Sequence, residues 1–201
     1  MSDQPSFTAA ILVSYSVADF DHWKATFDSH EPDRVEAGYV GHHINRAEND
    51  PNSISLYLAV GDMEKAKAFA ASDDLKAAMQ EAGVTSVPEF LWVKPVAEDA
   101  IWDRELPAVI VTHTVDDFDA WLVEYKSAEA DAMREAGGII GHAANQGIDN
   151  PSLALVYHQA ESFDTLRAFA ASDELRAVMK EAGVNSEPEF SYHTGGWGKL
   201  Y

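Results

Sequence analysis

The side chains able to do chemistry in this chain are mainly imidazoles, phenols and indoles: 8 histidines, 7 tyrosines and 5 tryptophans, with no cysteine. Thiolate nucleophiles, thiolate metal sites and disulfides are therefore absent. His113, His142, His158 and His193 each fall on a separate stretch that reads as a strand. Three imidazoles on one sheet face would suit a divalent metal or a haem iron. Side chains alternate along a strand, however, so His158 points away from its neighbour Tyr157, and no helical His-x-x-x-His pair sets a ligand spacing. No metal and no other cofactor is expected. His30 and Arg34 stand four apart in the helical register of Trp23 and Phe27, a spacing that would aim a proton carrier and a cation at one pocket. Pro32 lies between them, and Ala128 and Ala132 occupy the corresponding positions of the second half at an offset of 98, so this pair is expected once. No Gly-rich phosphate loop, Gly-x-Ser-x-Gly elbow or zinc-protease helix is present, which argues against a nucleotide enzyme or a serine hydrolase.

These residues belong to a unit written twice. Val17-Ala18-Asp19-Phe20-Asp21-His22-Trp23 returns 98 residues later as Val115-Asp116-Asp117-Phe118-Asp119-Ala120-Trp121. After two extra residues in the second copy the offset becomes 100, so that Gly41-His42, Asn45 and Tyr57 match Gly141-His142, Asn145 and Tyr157. Between Ala68 and Phe90 the copies share 17 of 23 residues. A period near 100 is too long for a solenoid and implies two small domains, 1–97 and 98–201. Lys94–Pro107 joins them, and Trp102 in that segment and Trp197 near the end are expected to pack on the fold rather than hang free.

Within a copy, the hydrophobic period alternates between two and 3.6. Ile11, Val13, Tyr15 and Val17 share one face of a strand. Asp19 reads as a helix N-cap ahead of Phe20, Trp23 and Phe27, as Asp117 does ahead of Phe118, Trp121 and Tyr125. Gly38, matched with Gly137, stops that helix. Strands over Tyr39–Arg46 and Ser53–Val60 follow, then a helix capped by Asp62 (Ser162) that breaks and recaps at Ser72, a stop at Gly83, and a fourth strand through Phe90–Val93. The order is βαββαβ, the ferredoxin-like split βαβ arrangement of an α+β fold. Trp23 and Trp121 sit at core spacing, Asn45 and Asn145 at turn positions, and the phenols of Tyr57 and Tyr157 can pack, hydrogen-bond or donate a proton.

The chain is 46% hydrophobic and 24% charged, with a net charge of −20. Such an excess of carboxylates excludes nucleic acid or an anionic membrane as partner, because polyphosphate binding relies on Lys and Arg displacing counterions. With no basic-then-apolar start and no apolar run near the length of a membrane span, the chain reads as cytoplasmic.

The strings V-x-D-F-D-x-W, Gly-His, the Asp-Pro or Asn-Pro turn and Phe-Ala-Ala-Ser-Asp-x-Leu followed by Ala-Gly-Val and Pro-Glu, found in this order twice, resemble the dimeric α+β barrel superfamily, in particular its antibiotic-biosynthesis-monooxygenase-like domains. The resemblance covers about 85 residues of each copy. It implies that the two copies pair sheet to sheet within one chain as a pseudo-dimeric barrel, and further self-association is left open. It also implies a pocket between sheet and helices. Candidates there are Tyr15, Trp23, Phe27, His30, Arg34, His42 and Tyr57 in the first copy, and His113, Trp121, Tyr125, His142, Tyr157, His158 and His193 in the second. The function this implies is binding of a small, aromatic or polycyclic molecule, with cofactor-independent oxygenase chemistry if the protein is an enzyme. In that chemistry His113 and His142 are expected as base and proton relay and Tyr157 as proton donor, with Trp23, Arg34, His42, Tyr57 and Trp121 binding the substrate. The alternative is a non-catalytic binding or structural barrel whose aromatic residues are core.

Overall fold

A computed structural model describes residues 7–201. The strand that opens the first repeat, β1 (Ala9–Ser16), leads to Asp19, whose carboxylate accepts the His22 amide and starts α1 (Phe20–Ser29). The chain breaks at His30 and restarts as α2 (Glu31–Glu36), because Pro32 has no amide proton to continue α1 but fits the first turn of a new helix. Gly38, at φ 82°, then turns the chain into β2 (Tyr39–Ala47), which returns as β3 (Asp50–Val60). Asp62 caps α3 (Met63–Ala70) and Ser72 caps α4 (Asp73–Glu81), before β4 (Glu89–Asp99) closes the repeat. The second repeat follows the same order: β5 (Leu106–Thr114), α5 (Phe118–Tyr125), α6 (Ala128–Ala136), β6 (Ile139–Gly147), β7 (Leu153–Ala160), α7 (Phe163–Ala170), α8 (Asp173–Glu181) and β8 (Glu189–Leu200).

The architecture is thus α+β, two βαββαβ units with an eight-strand antiparallel sheet in the order β1-β3-β2-β8-β5-β7-β6-β4. By compactness, the first unit runs to Trp92 and includes Gly196–Tyr201, while the second spans Val93–Gly195. Each long strand, β4 and β8, is therefore divided between the units. Among the described residues, no helix is long and apolar enough to cross a membrane.

Three details differ from the sequence reading. Lys94–Asp99 is strand rather than connector, paired with β6 past an irregularity between Pro95 and Ala97 that accommodates the missing amide proton. The positive-φ residue that ends the second repeat's first helical segment is Gly138 (φ 77°), with Gly137 one position earlier as the C-cap, so the offset of 100 already applies there. That moves the partner of Arg34 from Ala132 to Arg134. Of the two linker and tail tryptophans, Trp102 donates its indole N–H to Glu98 (3.0 Å), and Trp197 packs its ring 5.4 Å from Phe20.

Sheet register decides which side chains face the helices. In the first unit, Ile11 and His42 both pair with Leu58, and Val13 and Ile44 both pair with Leu56. These residues share one face. In the second unit the corresponding face carries Val109, Val111 and His113 from β5 and Val156 and His158 from β7, closed by Phe118, Trp121, Tyr125, Leu166 and Phe169 from the helices.

Candidate functional site

Under the helices of the first unit lies a cavity of about 770 Å³. That is within the size range of small-molecule sites, which span roughly 300–1,000 Å³. Its inner wall is Val13 and Tyr15 of β1 with Leu56 and Leu58 of β3, and its side wall is Trp23 and Phe27, one helical turn apart on α1 and stacked at 5.0 Å. Asp19 brings them there by fixing the start of α1. Trp23 Nε1 donates to the Tyr15 hydroxyl at 3.1 Å, tying the indole to the sheet. Burial pushes the Tyr15 phenol well above its ordinary pKa, so it stays protonated at neutral pH.

The deepest cation on the lining is Arg34, 5% exposed. Its guanidinium lies 3.6 Å over the Phe27 ring and donates through Nη1 to the Phe27 carbonyl and through Nε to the Tyr201 hydroxyl (2.7 Å), while Nη2 has no hydrogen-bond partner among the described residues. The Tyr201 hydroxyl also lies 2.8 Å from His42 Nδ1. The Tyr201 oxygen accepts from Arg34, and the direction of its bond with His42 follows the imidazole tautomer. Burial first, and the Arg34 charge second, push His42 down to about 3, so its imidazole is neutral at pH 7. At the mouth, His30 Nδ1 is 2.6 Å from Asp33, and its Nε2 is 3.6 Å from Glu81 on α4. The hydrogen bond to Asp33 raises the His30 pKa.

The second unit keeps the scaffold but not the space, for its equivalent void is only about 70 Å³. Phe169 accounts for much of the filling: a Cβ built on Gly137 would lie 2.3 Å from its ring. Ala37 holds the Gly137 position in the first unit, where Phe69 lines the cavity and is half-buried instead. Met133 and Val178, which replace Asp33 and Ala78, also line the small void. His113 stands where Tyr15 does, 5.7 Å from Trp121, with neither ring nitrogen partnered among the described residues. His158, in place of Leu58, packs edge-on against Phe169 and leaves Nε2 unpartnered among the described residues. Burial lowers His113 to about 4 and His158 to about 3, so both are neutral.

Of the expected site residues, Trp23 and Arg34 line the large cavity together with Tyr15, Phe27 and His30. His42 sits behind it, edge-on to Phe27 and joined to Arg34 through Tyr201. Tyr57 does not line it, because β3 alternates and Leu56 and Leu58 face the helices. In the second unit, Trp121, Tyr125, His113 and His158 line the small void. His142 reaches the Tyr125 hydroxyl at 3.1 Å. Tyr157, next to His158 on β7, and His193, which pairs with Ala108, face the other side of the sheet. The trio His113, His142 and Tyr157 is therefore not brought to one point. The Arg34 position is not unique to the first copy either: Arg134 is 4% exposed, donates to the Tyr125 carbonyl as Arg34 does to that of Phe27, and pairs with Asp131. In both units the arginine caps the carbonyl end of the preceding helix, a stabilising place for a cation. Tyr201 was missed because it lies 167 residues from Arg34, beyond any local spacing rule. Among the described residues, no three His, Asp or Glu side chains gather as a metal-ligand group.

No family model and no curated protein matches the sequence. Solved structures do match along nearly its whole length. An anthrone oxidase-like protein superposes with a TM-score of 0.69 at 12% identity, over 98% of this chain and 94% of that one. A ferredoxin-fold protein related to antibiotic biosynthesis monooxygenases, from Listeria monocytogenes, gives 0.55 at 9% identity over 94% and 95%. A heme-degrading enzyme, also from Listeria monocytogenes, gives 0.53 at 9% identity over 92% and 98%. At such identities the likeness speaks for fold alone, and this chain has the ferredoxin-like α+β fold of the antibiotic-biosynthesis-monooxygenase-like proteins.

Proposed function

We propose that the protein binds a small aromatic or polycyclic molecule in the cavity of its first repeat, and that it acts on that molecule as a cofactor-independent, monooxygenase-like oxygenase. The observation that carries this reading is the contrast in space: about 770 Å³ under the helices of one repeat against about 70 Å³ in the other. A packed core with no ligand has no need of the larger one. Its stacked Trp23–Phe27 wall suits an aromatic ring, and the likeness to an anthrone oxidase-like protein points the same way.

In this chemistry the substrate itself reduces oxygen. A base removes a proton from an activated CH₂ group, the carbanion transfers its electrons to O₂, and the hydroperoxide so formed loses water, so that CH₂ plus O₂ becomes C=O plus H₂O. The protein's part is to hold the ring, accept the proton and stabilise the developing oxyanion. His30 is the imidazole on the cavity lining, and Asp33 beside it strengthens it as a base. Arg34 supplies positive charge behind Phe27. The second repeat, with its histidines around a small void, is assigned a supporting, packed role.

Oxygen uptake by the purified protein with anthrone-type or hydroquinone substrates tests the reading, alongside calorimetric titration of the same compounds. Binding with turnover is expected, with His30→Ala slowing turnover by roughly 100-fold or more, the range for loss of a general base. Binding without turnover would leave the rival reading, a non-catalytic binding protein. No binding at all would overturn both.

A further inference from the structure

We propose that Tyr15 is the specificity-determining residue of the first-repeat cavity, its phenol O–H donating a hydrogen bond to a carbonyl oxygen on the buried end of a neutral polycyclic ligand. This rests on the reading of that cavity as a small-molecule site and adds what the ligand must carry.

Tyr15 has hydrogen-bonding capacity left over. A phenol has one proton to give and lone pairs to accept with. The Tyr15 oxygen accepts the Trp23 indole proton at 3.1 Å, so its own proton remains to be given, and among the described residues it meets no acceptor. Tyr15 is 7% exposed and lines the cavity from β1, so the proton can be given to a ligand seated there. The neighbouring hydroxyl on the lining, Thr26, already donates to the His22 carbonyl at 3.0 Å. The inner cavity thus offers a ligand a donor in Tyr15, next to the Arg34 guanidinium, whose charge acts favourably on any oxygen there that gains negative character.

The mouth sets the other condition. Asp33, Glu36, Asp74 and Glu81 line it with Lys65 and His30, on a chain of net charge −20, so an anionic ligand is repelled where a neutral one is not. The second repeat lacks the space, and an imidazole, His113, replaces the phenol there. A buried site built to hydrogen-bond a ligand oxygen discriminates against the analogue that lacks it, because the site's own group is left unpaired.

Fluorenone and fluorene, which differ in that oxygen, are the probes. By calorimetric titration the full chain is expected to bind fluorenone about 10-fold more tightly than fluorene, and Tyr15→Phe to bind the two within about 2-fold of each other. In the wild-type complex the carbonyl stretching band of fluorenone should move to lower frequency than in a non-donating solvent, a readout that needs no variant. Equal affinity of the wild-type chain for both compounds, an unshifted band, or a preference that survives in Tyr15→Phe would overturn the role of Tyr15 while leaving the cavity a binding site. Failure of both compounds to bind would overturn the cavity reading and this proposal with it.

Discussion

Ala37 in the first repeat and Gly137 in the second differ by one methyl group, and the two repeats differ by some 700 Å³ of internal space. The link is a phenylalanine. Where the backbone carries no Cβ, the Phe169 ring lies against it and fills the room between sheet and helices. Where it carries one, Phe69 stays half-buried at the cavity, edge-on to Tyr39 at 6.3 Å. Compensating changes accompany the switch. Tyr39 spans to the Ala66 carbonyl in the first repeat, whereas Ile139 and the fully buried Leu166 take those positions in the second. One scaffold, with the same order of elements and the same strand register, therefore serves as a container in one copy and as a core in the other.

Phe169→Ala should undo this contrast most strongly, opening the second repeat at a cost of roughly 3–5 kcal/mol of stability, as truncation of a buried aromatic does. Urea unfolding measures the loss, and new uptake of a small apolar dye would report the opened space. Phe69→Ala should cost clearly less, since that ring is half-buried already. Next in size is Gly137→Ala. Its methyl would meet the Phe169 ring at 2.3 Å, and overpacking of this kind costs about 1–3 kcal/mol. A stability unchanged by this variant would mean that the glycine is not what seats Phe169.

Acidity separates the repeats next. His113, His158 and His193 in the second are pushed down to about 4, 3 and 4 by burial, against His42 and His43 at about 3 and 4 in the first. A histidine whose folded pKa lies below the ordinary value of 6.5 takes up its proton more readily when unfolded. The stability it permits is whole above pH 6.5 and drains away as pH falls toward the folded value. His158→Leu, which installs the first repeat's residue, should gain on wild type below pH 6.5 by up to about 1.4 kcal/mol per pH unit for the one proton involved. Denaturant midpoints between pH 4 and 7 test this, and parallel curves for the two proteins would refute it. The smallest effect is a control. Asp19→Ala and Asp117→Ala each remove an N-cap that accepts a backbone amide, at 2.8 and 3.0 Å, and should each cost about 1 kcal/mol, alike in the two repeats.

Much of the scaffold was legible because its signals are local. Asp19, Asp62, Ser72 and Ser162 cap where their spacing to the following apolar residues implies, and the period-two runs are strands. Trp23 was legible as a wall residue for the same reason. What was not legible depends on volume and on distance along the chain. Whether a Phe-Ala-Ala-Ser-Asp segment lies over a void or fills it is decided by Gly137, some 30 residues away, and the segment reads identically in both copies. Parity along β7 placed Tyr157 and His158 on opposite faces, but both faces of this sheet are apolar, so periodicity could not say which one met the helices. The matching of Arg34 with Arg134 turned on where the two extra residues entered, near the break between α5 and α6, and counting at the earlier offset concealed it.

The sharing of Gly196–Tyr201 with the first unit bears on how the protein is made. On the ribosome the first repeat emerges well before the residues that complete it. Until Lys199 and Tyr201 have been made, Arg34 and His42 lack the hydroxyl that links them, Val40 lacks the amide that pairs with its carbonyl, and Glu31 waits for its ammonium partner. Synthesis at about 5–20 residues per second leaves the early repeat in that unfinished condition for several seconds or more. The bracing of Arg34 and His42 behind the Phe27 wall therefore comes only after the second repeat has been made.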